Sequence, residues 1–175
     1  MMCVACTERQ GGVSVPKPRG YARIELCDSA YQPVAGVSLR LEVNRSAVVT
    51  HDDSKGWIDV AYPAYGGVLH LTVKHIADSA DLASTLAQRY ERMMLNLGDN
   101  SAEQIEITAA KSGVVTTMLA SQGTVLTPLQ ILSVCRGIVV SGAFSFNHRP
   151  ESADSVAPIV AAVKRDLIHT AKCLE

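Results

Sequence analysis

Hydrophobic and polar residues alternate from Tyr21, where Ala22, Ile24 and Leu26 take one face and Tyr21, Arg23 and Glu25 the other. Val37, Leu39, Leu41 and Val43 oppose Ser38, Arg40 and Glu42 in the same way. A period of two marks strands with one buried face. Trp57-Ile58-Asp59-Val60 and residues 68–76 continue the pattern on either side of the turn-rich Tyr62-Pro63-Ala64-Tyr65-Gly66-Gly67, which predicts an antiparallel hairpin. Trp57 shares a face with Asp59 and Ala61, while Ile58 and Val60 take the other, so alternation leaves its burial open. With one Trp and two Phe in the chain, the ring is expected in the core.

The period then changes. Leu82, Leu86, Tyr90, Met93 and Leu97 recur at intervals of three and four, with Asp78 or Ser79 placed to cap a helix and Gly98 to end it. Strands return where Ile105, Ile107 and Ala109 alternate against Gln104, Glu106 and Thr108. After a turn at Ser112-Gly113, residues 114–120, 129–134 and 138–146 complete a second antiparallel meander. Asp154-Ser155 opens a last helix, with Pro158 expected in its first turn and Val156, Val160, Val163, Leu167, Ala171 and Leu174 as its apolar stripe. The fold class read from this pattern is α+β: a mostly antiparallel sheet flanked by two helices in one layered domain over residues 21–175.

Composition agrees with one domain. The 175 residues are 47% hydrophobic and 19% charged, enough for a core and without the charge excess of a disordered chain. A net charge of −1, with both signs scattered, offers no basic face, so nucleic acid is not an expected partner. No apolar run approaches the roughly 18 residues of a membrane-spanning helix. The five cysteines at positions 3, 6, 27, 135 and 173 are too few and too widely spread for a disulfide framework, and apart from Cys3-Val4-Ala5-Cys6 they form no Cys-x-x-Cys pair, so the two ligand pairs of a zinc finger are missing. Cys27, Cys135 and Cys173 are expected as small buried hydrophobes, and neither a metal nor a cofactor is expected.

Catalytic chemistry finds no signature, and the chain is expected not to be an enzyme. There is no Gly-x-Ser-x-Gly elbow and no cysteine beside a histidine in sequence. His70 and His75, an odd number of residues apart, fall on opposite faces of a strand. His51-Asp52-Asp53-Ser54 could imitate a general-base or metal site, as a hydrolase reading would need, but reads better as a solvated hairpin loop. The glycines fall at turns and strand ends without a phosphate-cradling pattern, so no nucleotide is expected.

The first twenty residues read differently. Val4-Ala5-Cys6 has the small and apolar residues of a lipoprotein processing site, so residues 1–6 are expected as a signal remnant with lipidation at Cys6. Five residues are too few for the apolar run of a secretory signal, which predicts further coding sequence upstream of Met1. Residues 7–20, with Gly11-Gly12, Pro16 and Pro18 and no period, read as a tether.

Several phrases are more specific: Pro16-Lys17-Pro18-Arg19-Gly20-Tyr21-Ala22-Arg23-Ile24, then Trp57-Ile58-Asp59-Val60-Ala61-Tyr62-Pro63, then Gly142-Ala143-Phe144-Ser145-Phe146 with Pro150, Asp154-Ser155 and Pro158. In this order and at these separations the chain resembles the GldD family of gliding-motility lipoproteins of Bacteroidetes. The resemblance implies a lipoprotein held in the bacterial cell envelope by the lipid on Cys6, with its domain in the periplasm. It also implies a role in the assembly or working of the gliding apparatus and the accompanying type IX secretion system, among whose envelope proteins its partners would lie. Arg19, Tyr21 and Arg23, beside the tether, are the expected interaction surface. The alternative is a periplasmic module that binds a small molecule or peptide on an aromatic platform of Trp57, Tyr62 and Tyr65.

Overall fold

A computed structural model describes residues 28–37, 39–123 and 126–175. The strand expected at residues 21–26 lies outside them. The chain runs through β1 (Tyr31–Pro33), β2 (Glu42–Asn44), β3 (Val48–Asp52), β4 (Trp57–Tyr62), a 3-10 turn (Pro63–Tyr65), β5 (Gly67–His75), α1 (Ser79–Leu97), β6 (Ala102–Thr108), β7 (Val115–Ser121), β8 (Leu129–Cys135), β9 (Ile138–Phe146) and α2 (Ala153–Lys172). β1 and β2 form a short ribbon, and the other strands form a seven-stranded sheet in the order β3-β4-β5-β9-β8-β7-β6. Every pairing is antiparallel. The α+β class with two flanking helices is therefore the fold.

The β4–β5 hairpin and the β6–β9 meander form where alternation places them, and they join between β5 and β9, whose register runs from Gly67 opposite Phe146 to His75 opposite Ile138. The inner face of the sheet carries the core. Ile58, Val60, Leu69, Leu71, Met118, Leu129, Ile131 and Phe144 are all at most 2% exposed and form one cluster with Val163, Leu167 and Ala171 of α2. Phe144 sits at the centre of an aromatic group: Tyr62 meets it edge-on at 6.0 Å and Phe146 at 5.1 Å, and Tyr65 stacks on Tyr62. One glycine makes room for this ring and another for the close approach of β5 to β9. A Cβ on Gly67 would come within 2.4 Å of Phe144 Cζ, and one on Gly142 within 2.6 Å of the His70 carbonyl oxygen. The β8–β9 hairpin turns on Arg136-Gly137, both with positive φ, the twist that suits a two-residue connection.

Several sequence expectations are corrected. Trp57 is half-buried on the outer face with Asp59 and Ala61, outside the core cluster, because the alternation of β4 turns Ile58, Val60 and Tyr62 inward instead. That arrangement also removes the aromatic platform, since Tyr62 and Tyr65 are buried and Trp57 lies on the opposite face of β4. The run from Val37 to Val43 keeps its inward Leu39, Leu41 and Val43, but only Glu42–Asn44 is strand. Residues 48–52 form an edge strand that alternation does not mark, and the hairpin loop expected at 51–54 starts after Asp52 and runs over residues 53–56. α2 starts slightly before Asp154 because the Ser152 hydroxyl accepts from the Ser155 amide at 3.2 Å. Pro158 thus falls inside the helix; both it and Asp154, whose carbonyl loses the amide partner, are exposed.

These contacts rank three substitutions. Phe144→Ala is expected to cost about 3–5 kcal/mol and Gly142→Ala about 1–3 kcal/mol through overpacking, with Trp57→Ala the mildest. Denaturant midpoints of the three variants check the order, and a Trp57→Ala loss equal to that of Phe144→Ala would return Trp57 to the core.

Candidate functional site

The outer face of the sheet is crossed by α1, which is attached mostly through polar groups. The Asp78 carboxylate caps the helix by accepting from the Asp81 amide at 2.8 Å, and Gly98 ends it in a positive-φ conformation. Among its residues only Thr85 and Met93 are buried; Leu82, Leu86 and Leu97 of the expected stripe are half-buried, and Tyr90 is 48% exposed. Lys74 of β5 donates to Asp81 Oδ1 at 2.7 Å and to Thr85 Oγ1 at 2.6 Å. Near the other end, Gln130 of β8 donates to the Met93 carbonyl and accepts from the Asn96 amide, both at 3.0 Å.

α1 leaves a groove on each side. One is apolar, with about 720 Å³ of open volume between Leu86 and Tyr90 of the helix and Val115, Leu132 and Val134 of the sheet. Val115 and Val134 remain 48% and 39% exposed at its floor. The other is polar and lined by His70, Arg89, Arg92, Asn96 and Ser141.

A second cluster lies where α2 meets the ribbon. Asp166, His169, Thr170 and Cys173 recur at helical spacing beside the apolar stripe of α2 and face β1 and β2. Thr170 Oγ1 donates to the Glu42 carbonyl at 2.7 Å, and Tyr31 donates its hydroxyl to Asp166 Oδ1 at 3.0 Å. The Tyr31 ring stacks on His169 with centroids 3.6 Å apart and planes 9° from parallel. His169 Nε2 lies 2.9 Å from Glu42 Oε2 and 3.6 Å from Cys173 Sγ, and Cys173 Sγ lies 3.7 Å from Glu42 Oε2. The hydrogen bond with His169 holds the Glu42 carboxyl below its ordinary pKa. Burial, and then the Glu42 charge, pushes the Cys173 thiol up. Burial likewise raises Asp166.

Other sequence candidates separate. His51 and Asp52 are adjacent in a strand and so point to opposite faces. Asp52 accepts from the Ser54 and Lys55 amides and pairs with Lys55 Nζ at 3.0 Å, the work of a turn residue. His70 reaches Asp59 at 2.7 Å across the exposed face of β4 and β5, while His75 takes the other face. Cys135 is buried as expected, but Cys173 is half-buried beside two polar groups. Cys6, Arg19, Tyr21 and Arg23 lie outside the described residues.

Residues 11–175 match the family model of the gliding motility lipoprotein GldD. The chain belongs to the GldD family. The match covers the whole sheet and both helices, and it starts after Cys6. None of the curated proteins matches the chain. A GldD-family chain is a gliding-motility lipoprotein, and a lipid anchor fits a body in which, among the described residues, no helix is long and apolar enough to cross a membrane.

The attachment of α1 predicts a pH dependence. The Lys74 ammonium holds the Asp81 carboxyl below its ordinary pKa, so the contribution of Asp81 to stability is present above the unfolded value of about 3.9 and disappears as pH falls through the lower folded value. Asp81→Asn should therefore lower the thermal midpoint at neutral pH, and the gap to the parent should close in acid. Melting curves across that range check it, and a gap that widens in acid would contradict the assignment.

Proposed function

We propose that this GldD-family chain is a non-enzymatic component of the gliding apparatus and its type IX secretion system, anchored in the envelope through lipid on Cys6 with its domain in the periplasm. The family match over residues 11–175 carries the reading. The geometry of the one Cys-His-acid cluster among the described residues is in keeping with that reading. A Cys-His-acid relay needs the two ring nitrogens of the histidine to face different partners, whereas in the Glu42–His169–Cys173 cluster the same Nε2 faces both.

The surface offered to another envelope protein of the machinery is the apolar groove beside α1, where Tyr90, Val115 and Val134 expose hydrophobic area that the fold leaves uncovered. Arg19, Tyr21 and Arg23, outside the described residues, are a separate candidate contact beside the tether. Two experiments in a gliding host test the proposal. Cys6→Ser should move the protein out of the membrane fraction and abolish gliding and secretion, and retained membrane attachment would overturn the anchor. Val134→Asp, on an exposed strand position, should leave the unfolding midpoint nearly unchanged while gliding or secretion falls. Undiminished gliding and secretion by that variant would remove the groove from the proposal.

A further inference from the structure

Glu42, His169 and Cys173 bring one oxygen, one nitrogen and one sulfur to a common point, with all three donor atoms within 4.8 Å of one another. Tetrahedral zinc with ordinary bond lengths sets its donors about 3.6 Å apart for sulfur–nitrogen and sulfur–oxygen, and about 3.4 Å for nitrogen–oxygen. The two sulfur edges here, 3.6 and 3.7 Å, already have those lengths. The nitrogen–oxygen edge of 2.9 Å is a hydrogen bond that must open by about 0.5 Å to admit the ion. We infer that Glu42, His169 and Cys173 form a zinc-binding site that fastens the β1–β2 ribbon to the end of α2.

Preorganisation supports this. The ligands come from two elements already clamped together: Thr170 bonds the Glu42 carbonyl, Arg40 and Glu175 exchange both backbone hydrogen bonds at 3.2 Å, and Ser112 holds the Leu174 carbonyl at 2.6 Å. Tyr31 fixes the plane of the imidazole. Cys173 is the C-cap of α2, where the helix dipole favours a cation. A thiolate, a carboxylate and a neutral imidazole balance a divalent ion, and the sulfur and nitrogen donors select zinc over magnesium or calcium. Glu42 and His169 keep about a third of their side-chain surface exposed, which lets the ion enter and leaves its fourth position to water. The ion would cross-link the ribbon, through Glu42, to the end of α2, through His169 and Cys173, while keeping one open position.

Cobalt(II) titration of the full chain tests it, because a thiolate ligand gives a near-ultraviolet charge-transfer band and a tetrahedral ion gives intense visible bands. A background with Cys3, Cys6 and Cys27 replaced by Ser should bind one equivalent, with zinc displacing the cobalt. Cys173→Ser should abolish the charge-transfer band, and Glu42→Gln, nearly isosteric, should weaken binding by roughly tenfold or more. Zinc should also raise the thermal midpoint of the parent, magnesium should not, and chelation should reverse the rise. A band that survives Cys173→Ser, an unchanged affinity in Glu42→Gln, or an equal response to magnesium would each overturn the site. The metal-free midpoints of both variants, expected near that of the parent, separate lost binding from lost folding.

Discussion

The pairing of β5 with β9 carries the architecture. Without it the chain would be two separate antiparallel meanders, each with one apolar face and nothing to close against. The joint is made by strands distant in sequence, and its register depends on Phe144 lying over Gly67, which has no side chain, while Gly142 lets β9 approach the His70 carbonyl. A slip of one residue would turn Phe144 and Phe146 to the outer face and bring polar Ser145 inward. The aromatic group around Phe144 thus specifies the sheet as well as stabilising it.

The two faces of that sheet are covered by different physics. α2 buries an apolar stripe in the common core, whereas α1 is positioned by a lysine at one end and a glutamine near the other. The polar attachment leaves hydrophobic strand positions at its side open to solvent. In this gliding-motility lipoprotein one face holds the domain together, and the other carries the groove proposed for contact.

Much of this was legible because the sheet is antiparallel with one strongly apolar face, which writes a period of two into the chain. The phrase Gly142-Ala143-Phe144-Ser145-Phe146, part of the family resemblance, contains the close-approach glycine and the two core rings. Trp57 misled because scarcity of large rings was weighed above its place in the alternation, when Tyr62 and Tyr65 could supply the rings instead. The joining of the meanders was not legible, since no local pattern says which strand of the first half meets which of the second. At the ribbon, the stripe of Asp166, His169, Thr170 and Cys173 has plain helical spacing and could have been read as a second, polar face of α2. Glu42, more than a hundred residues earlier, could not have been assigned to it, because only the folded chain brings β2 to that helix end.

The way α1 is held has a consequence for motion. α1 buries two of its own side chains where α2 buries seven, so its amides should exchange with solvent through local opening, while those of β5, β8 and β9 wait for global unfolding. Each such opening would uncover Leu119, Val139 and the buried side of Gln130, converting the groove beside the helix into a continuous sheet surface. The outer face therefore has two accessible shapes, and a partner that prefers the wider one would draw the equilibrium toward it without disturbing the core.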